Sequence, residues 1–355
     1  MDFRSALYLG RNHARRDLPD WLRLTPGKPA ALEEPALAQH VALELAALQG
    51  CEDAVIGVST LHLYWDFFGL LAHSPVQIWI DAGAYPVARW GAERAQGLGA
   101  TTGEFRHHDP EHLRQRLLRR ASGRRPVVVT DGLCPACGTL APLSEYWRLV
   151  EHYGGLLVVD DTQALGILGF RPGSWTPYGE GGGGSLRAAQ LEGREDLVMI
   201  SSLAKAFGAP LAALSGSAEI VEDFRSSSVT RVHSSPPNLA AIGAAAASLA
   251  WNREAGDGAR QRLAGLVARF RRRMIERFGT LPAGGSFPVQ NLRHRNAPAL
   301  HAALQYRGVE ALLLQARDTH PGIRLSFIIR ADHSVSEIDA AVDTLASLKE
   351  VSCPA

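Results

Sequence analysis

The chain has 355 residues, 46% of them hydrophobic, which is enough to bury the core of one large domain with a smaller one beside it. Thirty-seven basic and 36 acidic residues leave a net charge of +1, too small to provide the field that holds nucleic acid or an anionic membrane. The first residues lack the basic, apolar and small-residue pattern of a secretion signal, and four cysteines (Cys51, Cys134, Cys137 and Cys353) are too few for a secreted disulfide framework, so the expected location is cytoplasmic.

Residues 36–49 have helical periodicity and stop at Gly50, and 60–72 form a second apolar helix. Short apolar runs then alternate with amphipathic segments: strand 76–81, helix 86–97, strand 101–106, helix 109–120, strand 126–131, helix 143–153 and strand 155–160. Such alternation predicts an α/β fold, a mostly parallel sheet wrapped by helices. Asp109 followed by Pro110 opens one helix as a cap and a first-turn proline. The stretch 179–185, with four consecutive glycines, reads as a mobile surface loop before strand 197–201. An alanine-rich helix at 236–251 leads into an arginine-rich one at 257–278. Strand 287–292, helix 297–306, strand 322–329 and helix 335–348 then read as a small α+β domain, with Ser334 and Glu337 at capping-box spacing. The expected organisation is an N-terminal segment 1–50, a large domain 51–252 and a small domain 253–355.

Only three lysines occur: Lys28, Lys205 and Lys349. In a chain that uses arginine for nearly every cation, a lysine within the apolar stretch LAKAFG at 203–208 suggests chemistry that a guanidinium cannot perform. A desolvated amine can lose its proton and attack a carbonyl. Taken alone, Lys205 reads better as a side chain that buries its stem and keeps its ammonium in water. Strand 155–160, however, ends in Asp160 at the carboxyl edge, where α/β folds bind ligands. An amine to hold an aldehyde, and an acid to keep a pyridine nitrogen protonated, are the two parts a pyridoxal phosphate site needs. Cys134 and Cys137 form a CxxC with no second pair to complete a zinc site, and they read as ordinary thiols in an active-site loop rather than a redox pair.

The stretches FRHHDPEHL at 105–113, VVVTDG at 127–132, GTLAPL at 138–143, LVVDDTQALG at 157–166, DLVMISSLAKAFG at 196–208, SSPP at 234–237 and RLSF at 324–327 occur in the order of a known family. The chain resembles fold-type I pyridoxal phosphate enzymes of the aminotransferase class I/II fold, most closely the α-oxoamine synthases, the family of 8-amino-7-oxononanoate synthase and 2-amino-3-ketobutyrate CoA ligase. The resemblance implies that Lys205 is the Schiff-base lysine and Asp160 the partner of the pyridinium nitrogen. It further implies that Ser202 and Ser235 hold the cofactor phosphate, Ser235 across a homodimer interface, and that Arg324 clamps a substrate carboxylate. Ser59 and Thr60 open a helix whose N–H groups would receive the phosphate.

Two positions depart from the family pattern. Tyr85 stands where a histidine covers the cofactor ring, and Gln163 where a histidine donates toward the phenolic oxygen. A tyrosine stacks and a glutamine donates, but neither supplies an imidazole near neutral pH. The segment 24–30 also lacks the glycine- and serine-rich character that shapes the family's acyl pocket. The expected activity is decarboxylative condensation of an amino acid with an acyl thioester. Transamination, decarboxylation or carbon–carbon cleavage on the same cofactor is the alternative, and a non-catalytic dimeric scaffold a remote one. No metal, nucleic acid or membrane partner is expected.

Overall fold

The computed structural model describes residues 1–13, 24–316 and 322–351; Cys353 lies outside them. The strands are β1 (Asp53–Gly57), β2 (Val76–Asp81), β3 (Thr101–Phe105), β4 (Arg125–Asp131), β5 (Leu156–Asp160), β6 (Leu197–Ser202), β7 (Ala212–Gly216), β8 (Val289–Arg293), β9 (Leu312–Ala316) and β10 (Gly322–Ile328). The first seven form one sheet in the order β1-β7-β6-β5-β4-β2-β3, and the last three a second sheet in the order β8-β10-β9. The α/β architecture is therefore the one the alternation predicts.

In the large sheet only β7 runs against its neighbours. The other strands are parallel, so β1 to β6 all end on the same edge. Continuous burial of β5 (LLVVD) and of all but the first residue of β4 (RPVVVTD) fits strands covered on both faces by helices. Two strands of this sheet, β1 and β7, lack a readable sequence signal. Both are five-residue runs, and β7 (AALSG) has small side chains with no alternation.

Helix Leu239–Trp251 continues through a π-helical turn, Asn252–Gly256, into helix Asp257–Phe278. The expected boundary between residues 252 and 253 thus falls inside one unbroken helical rod. The first residues of the chain pack on the second sheet: Phe3 donates its amide to the Glu310 carbonyl and accepts from Ile328, and its ring meets Phe327 edge-on. Helix Ala36–Gln49 instead lies against β1 and β7.

The glycine-rich stretch corrects the sequence reading. It is not a mobile surface loop, because residues 182–185 are buried and hydrogen-bonded from several sides. Gly166 donates to the Gly182 carbonyl, Gly184 to the Leu168 carbonyl, and Gly181 to Asp257. Glycine is required at Gly184 on two counts. Its φ is +90°, and a Cβ would fall 1.8 Å from Asp161 Oδ2. Linker-like composition here reflects close backbone approach rather than freedom. Replacing Gly184 by Ala is expected to destabilise the fold by about 2 kcal/mol or more, read as a lowered urea midpoint; an unshifted midpoint refutes this packing.

Candidate active site

Strand ends set the chemistry of this edge. Asp160 closes β5 and Asp131 closes β4, and the two are register partners. Both carboxylates are buried, at 5% and 8% exposure. Burial raises the pKa of each; for Asp160 the Thr162 hydroxyl and amide and the nearby Lys205 oppose the rise. Thr162 donates its amide to Asp160 at 3.0 Å, and its hydroxyl accepts from the Ser202 amide at 3.0 Å. One threonine thereby ties the end of β5 to the end of β6.

Lys205 lies three residues beyond β6. Burial lowers its pKa, and the charges of Asp160 and Asp131 work against that lowering. An amine so placed is a candidate base and nucleophile. Tyr85 caps helix Pro86–Gly97 with its amide donated to Asp131 at 3.0 Å, while its side chain is 53% exposed over the edge. Gln163 accepts from the buried Tyr8 hydroxyl at 2.5 Å. Fixing the amide oxygen on Tyr8 leaves the NH₂ end to donate elsewhere.

Ser59 stands at the N-cap of helix Thr60–Leu71, and its hydroxyl meets His62 Nδ1 at 2.8 Å rather than capping the helix. The amides of the first turn are left for an anion. Ser235 is exposed and shares a cleft with Gly57, Val58 and His62. Segment 24–30 flanks the same region, Leu24 accepting from the Leu239 amide and Ala30 donating to the Ser234 carbonyl. Arg324, 5% exposed on β10, donates to the Ala136 carbonyl at 3.2 Å, so it faces the CxxC loop from the second sheet. Most of the sequence-predicted residues therefore gather along one edge, with Tyr85 beyond β2, Asp160 and Gln163 at the end of β5, Ser202 and Lys205 at the end of β6, and Ser59 and Thr60 beyond β1.

Sequence reasoning missed Asp131, Thr162 and Tyr8. Asp131 carried a signal, since it ends a valine run just as Asp160 does. Tyr8 carried none, because its partner is 155 residues away. Also unassigned was the group beyond β3, where Asp81 Oδ1 meets His107 Nδ1 at 2.6 Å. Burial lowers the His107 pKa, but bonds to Asp81 and Cys137 outweigh it and carry the value to about 10.

Next to Asp160, the fully buried Asp161 accepts from the amide and hydroxyl of Ser185. Burial pushes its pKa from 3.8 to about 7 against those bonds. The folded state therefore retains a proton that the unfolded chain has released, so stability falls as pH rises from about 4 to about 7. Asp161→Asn is expected to flatten that slope, worth on the order of a few kcal/mol, in urea unfolding at about pH 5 and about pH 8. A slope equal to the wild type's would contradict the assignment.

A family model for aminotransferase class I and II matches residues 17–345. The 8-amino-7-oxononanoate synthase of Halorhodospira halophila is 32% identical over 255 residues, covering 70% of this chain and 60% of the relative. A putative 8-amino-7-oxononanoate synthase of Geobacillus kaustophilus is 29% identical over 248 residues, covering 68% of this chain and 60% of the relative. The chain thus spans about 60% of the length of these curated relatives. Among solved structures, serine palmitoyltransferase from S. paucimobilis with a bound PLP–myriocin aldimine superposes with a TM-score of 0.83 at 17% identity, covering 98% of this chain and 87% of that one. The 8-amino-7-oxononanoate synthase of Francisella tularensis gives 0.76 at 15% identity, covering 99% and 98%.

Proposed function

The chain belongs to the aminotransferase class I and II family, and on that premise we propose that it is a pyridoxal phosphate-dependent transferase of the α-oxoamine synthase type. The observation that carries the reading is a half-buried amine, Lys205, whose pKa burial lowers, set close to the buried carboxylate Asp160 at the carboxyl edge of a parallel sheet. The donor set fits the cofactor. Asp160 offers a carboxylate to a pyridine nitrogen, Tyr85 an aromatic face, Gln163 an amide N–H for a phenolic oxygen, and Ser202 with the first turn beginning at Ser59 and Thr60 the donors for a phosphate. Pyridoxal phosphate bound there supplies an electron sink for charge developing at an amino acid's α-carbon.

The chain's own residues do the rest. Arg324 orients the substrate carboxylate through its planar fork. Lys205, with its pKa lowered, takes the α-proton at Nζ and returns a proton after the new bond forms. The net reaction joins the α-carbon of an amino acid to the acyl carbon of a thioester, with uptake of one proton and release of carbon dioxide and the free thiol.

The reading includes a cytoplasmic homodimer in which Ser235 reaches the partner's phosphate site. Exposed Leu61, Trp65, Trp90, Val229 and Val232 on neighbouring helices support it, since an apolar patch of this kind suits a subunit contact. One observation favours a second reading, transamination. The oxygen of Gln163 is held by Tyr8 and the position over the ring carries Tyr85, so neither place offers an imidazole.

Protein mixed with pyridoxal phosphate should gain a visible absorption band, and Lys205→Ala should abolish it and reduce turnover by about 10²- to 10⁴-fold. Incubated with an amino acid and an acyl-CoA, the enzyme should release carbon dioxide and thiol in equal amounts. Accumulation of pyridoxamine phosphate and a keto acid would instead establish transamination, and protein that stays colourless with the cofactor would leave only the scaffold.

A further inference from the structure

Beyond the edge that holds Lys205, a second group of side chains is built around Cys137. His107 and His108 lie just beyond β3, after Arg106, and Cys137 lies in the loop after β4. One ligand atom from each of the three lies within 4.8 Å of the other two. Cys137 Sγ is 3.6 Å from His107 Nε2. Tetrahedral zinc, with bonds of about 2.3 Å to sulfur and about 2.0–2.1 Å to nitrogen, separates two such ligands by about 3.6 Å.

The surroundings select the atoms. Asp81, buried at the end of β2, engages His107 through Nδ1 and so aims Nε2 at the thiol, where a cation would displace the proton. Carboxylate–histidine pairs behind metal sites use this arrangement to fix the tautomer. The other Asp81 oxygen accepts the His108 amide at 3.1 Å, so one carboxylate orients both histidines. His108 adopts φ +52°, which turns its ring onto that of His107 with centroids 3.8 Å apart. Its Nε2 is buried without a hydrogen-bond partner. A left-handed residue and an unsatisfied buried ring nitrogen are both costs that a bound ligand would offset. Gly83 completes the fit, because a Cβ there would meet His107 Nδ1 at 2.3 Å.

We propose that His107, His108 and Cys137 bind a zinc-like divalent cation, with Asp81 as the orienting carboxylate. Two imidazoles and a thiolate form a borderline-soft set that suits zinc, and the fourth position is left for water. The cation fastens the loop after β3 to residues 134–137. That loop in turn receives Asn291 on the Pro135 and Ala136 carbonyls and Arg324 on the Ala136 carbonyl. The inference does not depend on which reaction the neighbouring edge performs.

To test it, tag-free full-length protein carrying its cofactor is equilibrated with zinc under reducing conditions and desalted, and zinc is measured against protein. The wild type and Cys51→Ser should each retain about one zinc per chain, and Cys137→Ser and His108→Gln less than about a tenth of that. Competition with a chromophoric chelator should show Asp81→Asn weakening affinity by about 10- to 100-fold. Wild-type protein that keeps no more zinc than folded Cys137→Ser overturns the proposal, as does a Cys134–Cys137 disulfide that forms on mild oxidation of protein already saturated with zinc without releasing the metal. Should the variants fail to fold, X-ray absorption at the zinc edge of the wild type decides: a mixed sulfur and nitrogen shell supports the site, and a shell of oxygen and nitrogen alone refutes it.

Discussion

Two buried carboxylates facing each other across neighbouring strands, Asp131 and Asp160, set the terms for everything around them. Burial makes each harder to ionise, and the charge of Asp160 adds to the effect on Asp131. The edge answers with donors: the Tyr85 amide on Asp131, the Thr162 amide on Asp160, and the charge of Lys205 opposite both. An amine held there is pulled in two directions, toward neutrality by burial and toward charge by its neighbours. A lysine that must exchange protons with a substrate profits from that balance, whereas an arginine would stay charged.

Much of this was legible in the sequence, and the failures have physical causes. Valine runs ending in an acid marked β4 and β5, because a strand buried on both faces leaves little choice of side chain. The amphipathic helices were equally plain; helix Asp257–Phe278 has the limits its periodicity predicts. By contrast β7 is built from Ala, Leu, Ser and Gly, residues whose strand state depends on the neighbours they pair with. The glycine stretch misled for a related reason. Composition measures what a chain is able to do when free, and Gly184 is glycine because Asp161 leaves no room for a Cβ. The Tyr8–Gln163 bond joins residues whose proximity nothing local announces.

The two departures from the family pattern also look different in three dimensions. Gln163 is not merely a weaker histidine, since Tyr8 takes its oxygen and commits the amide to one orientation. Tyr85 is anchored through its backbone to Asp131, so its ring is carried by the same strand end that shapes the charge of the edge. Both substitutions remove a titrating group and substitute a fixed one. A site with fewer exchangeable protons depends more heavily on Lys205.

The docking of residues 1–10 on the second sheet has a consequence for how the protein is made. Phe3 bonds to Glu310 and Ile328, and Tyr8 accepts from the Ala331 amide. During translation these first residues leave the ribosome long before the strands they pair with exist. The parallel sheet and its strand-end carboxylates can form earlier, but the docking that holds Tyr8 against Gln163 waits for Ala331 to emerge. The Tyr8–Gln163 contact is thus tied to synthesis of the second sheet, and a chain released short of β10 would carry Lys205 and Asp160 without it.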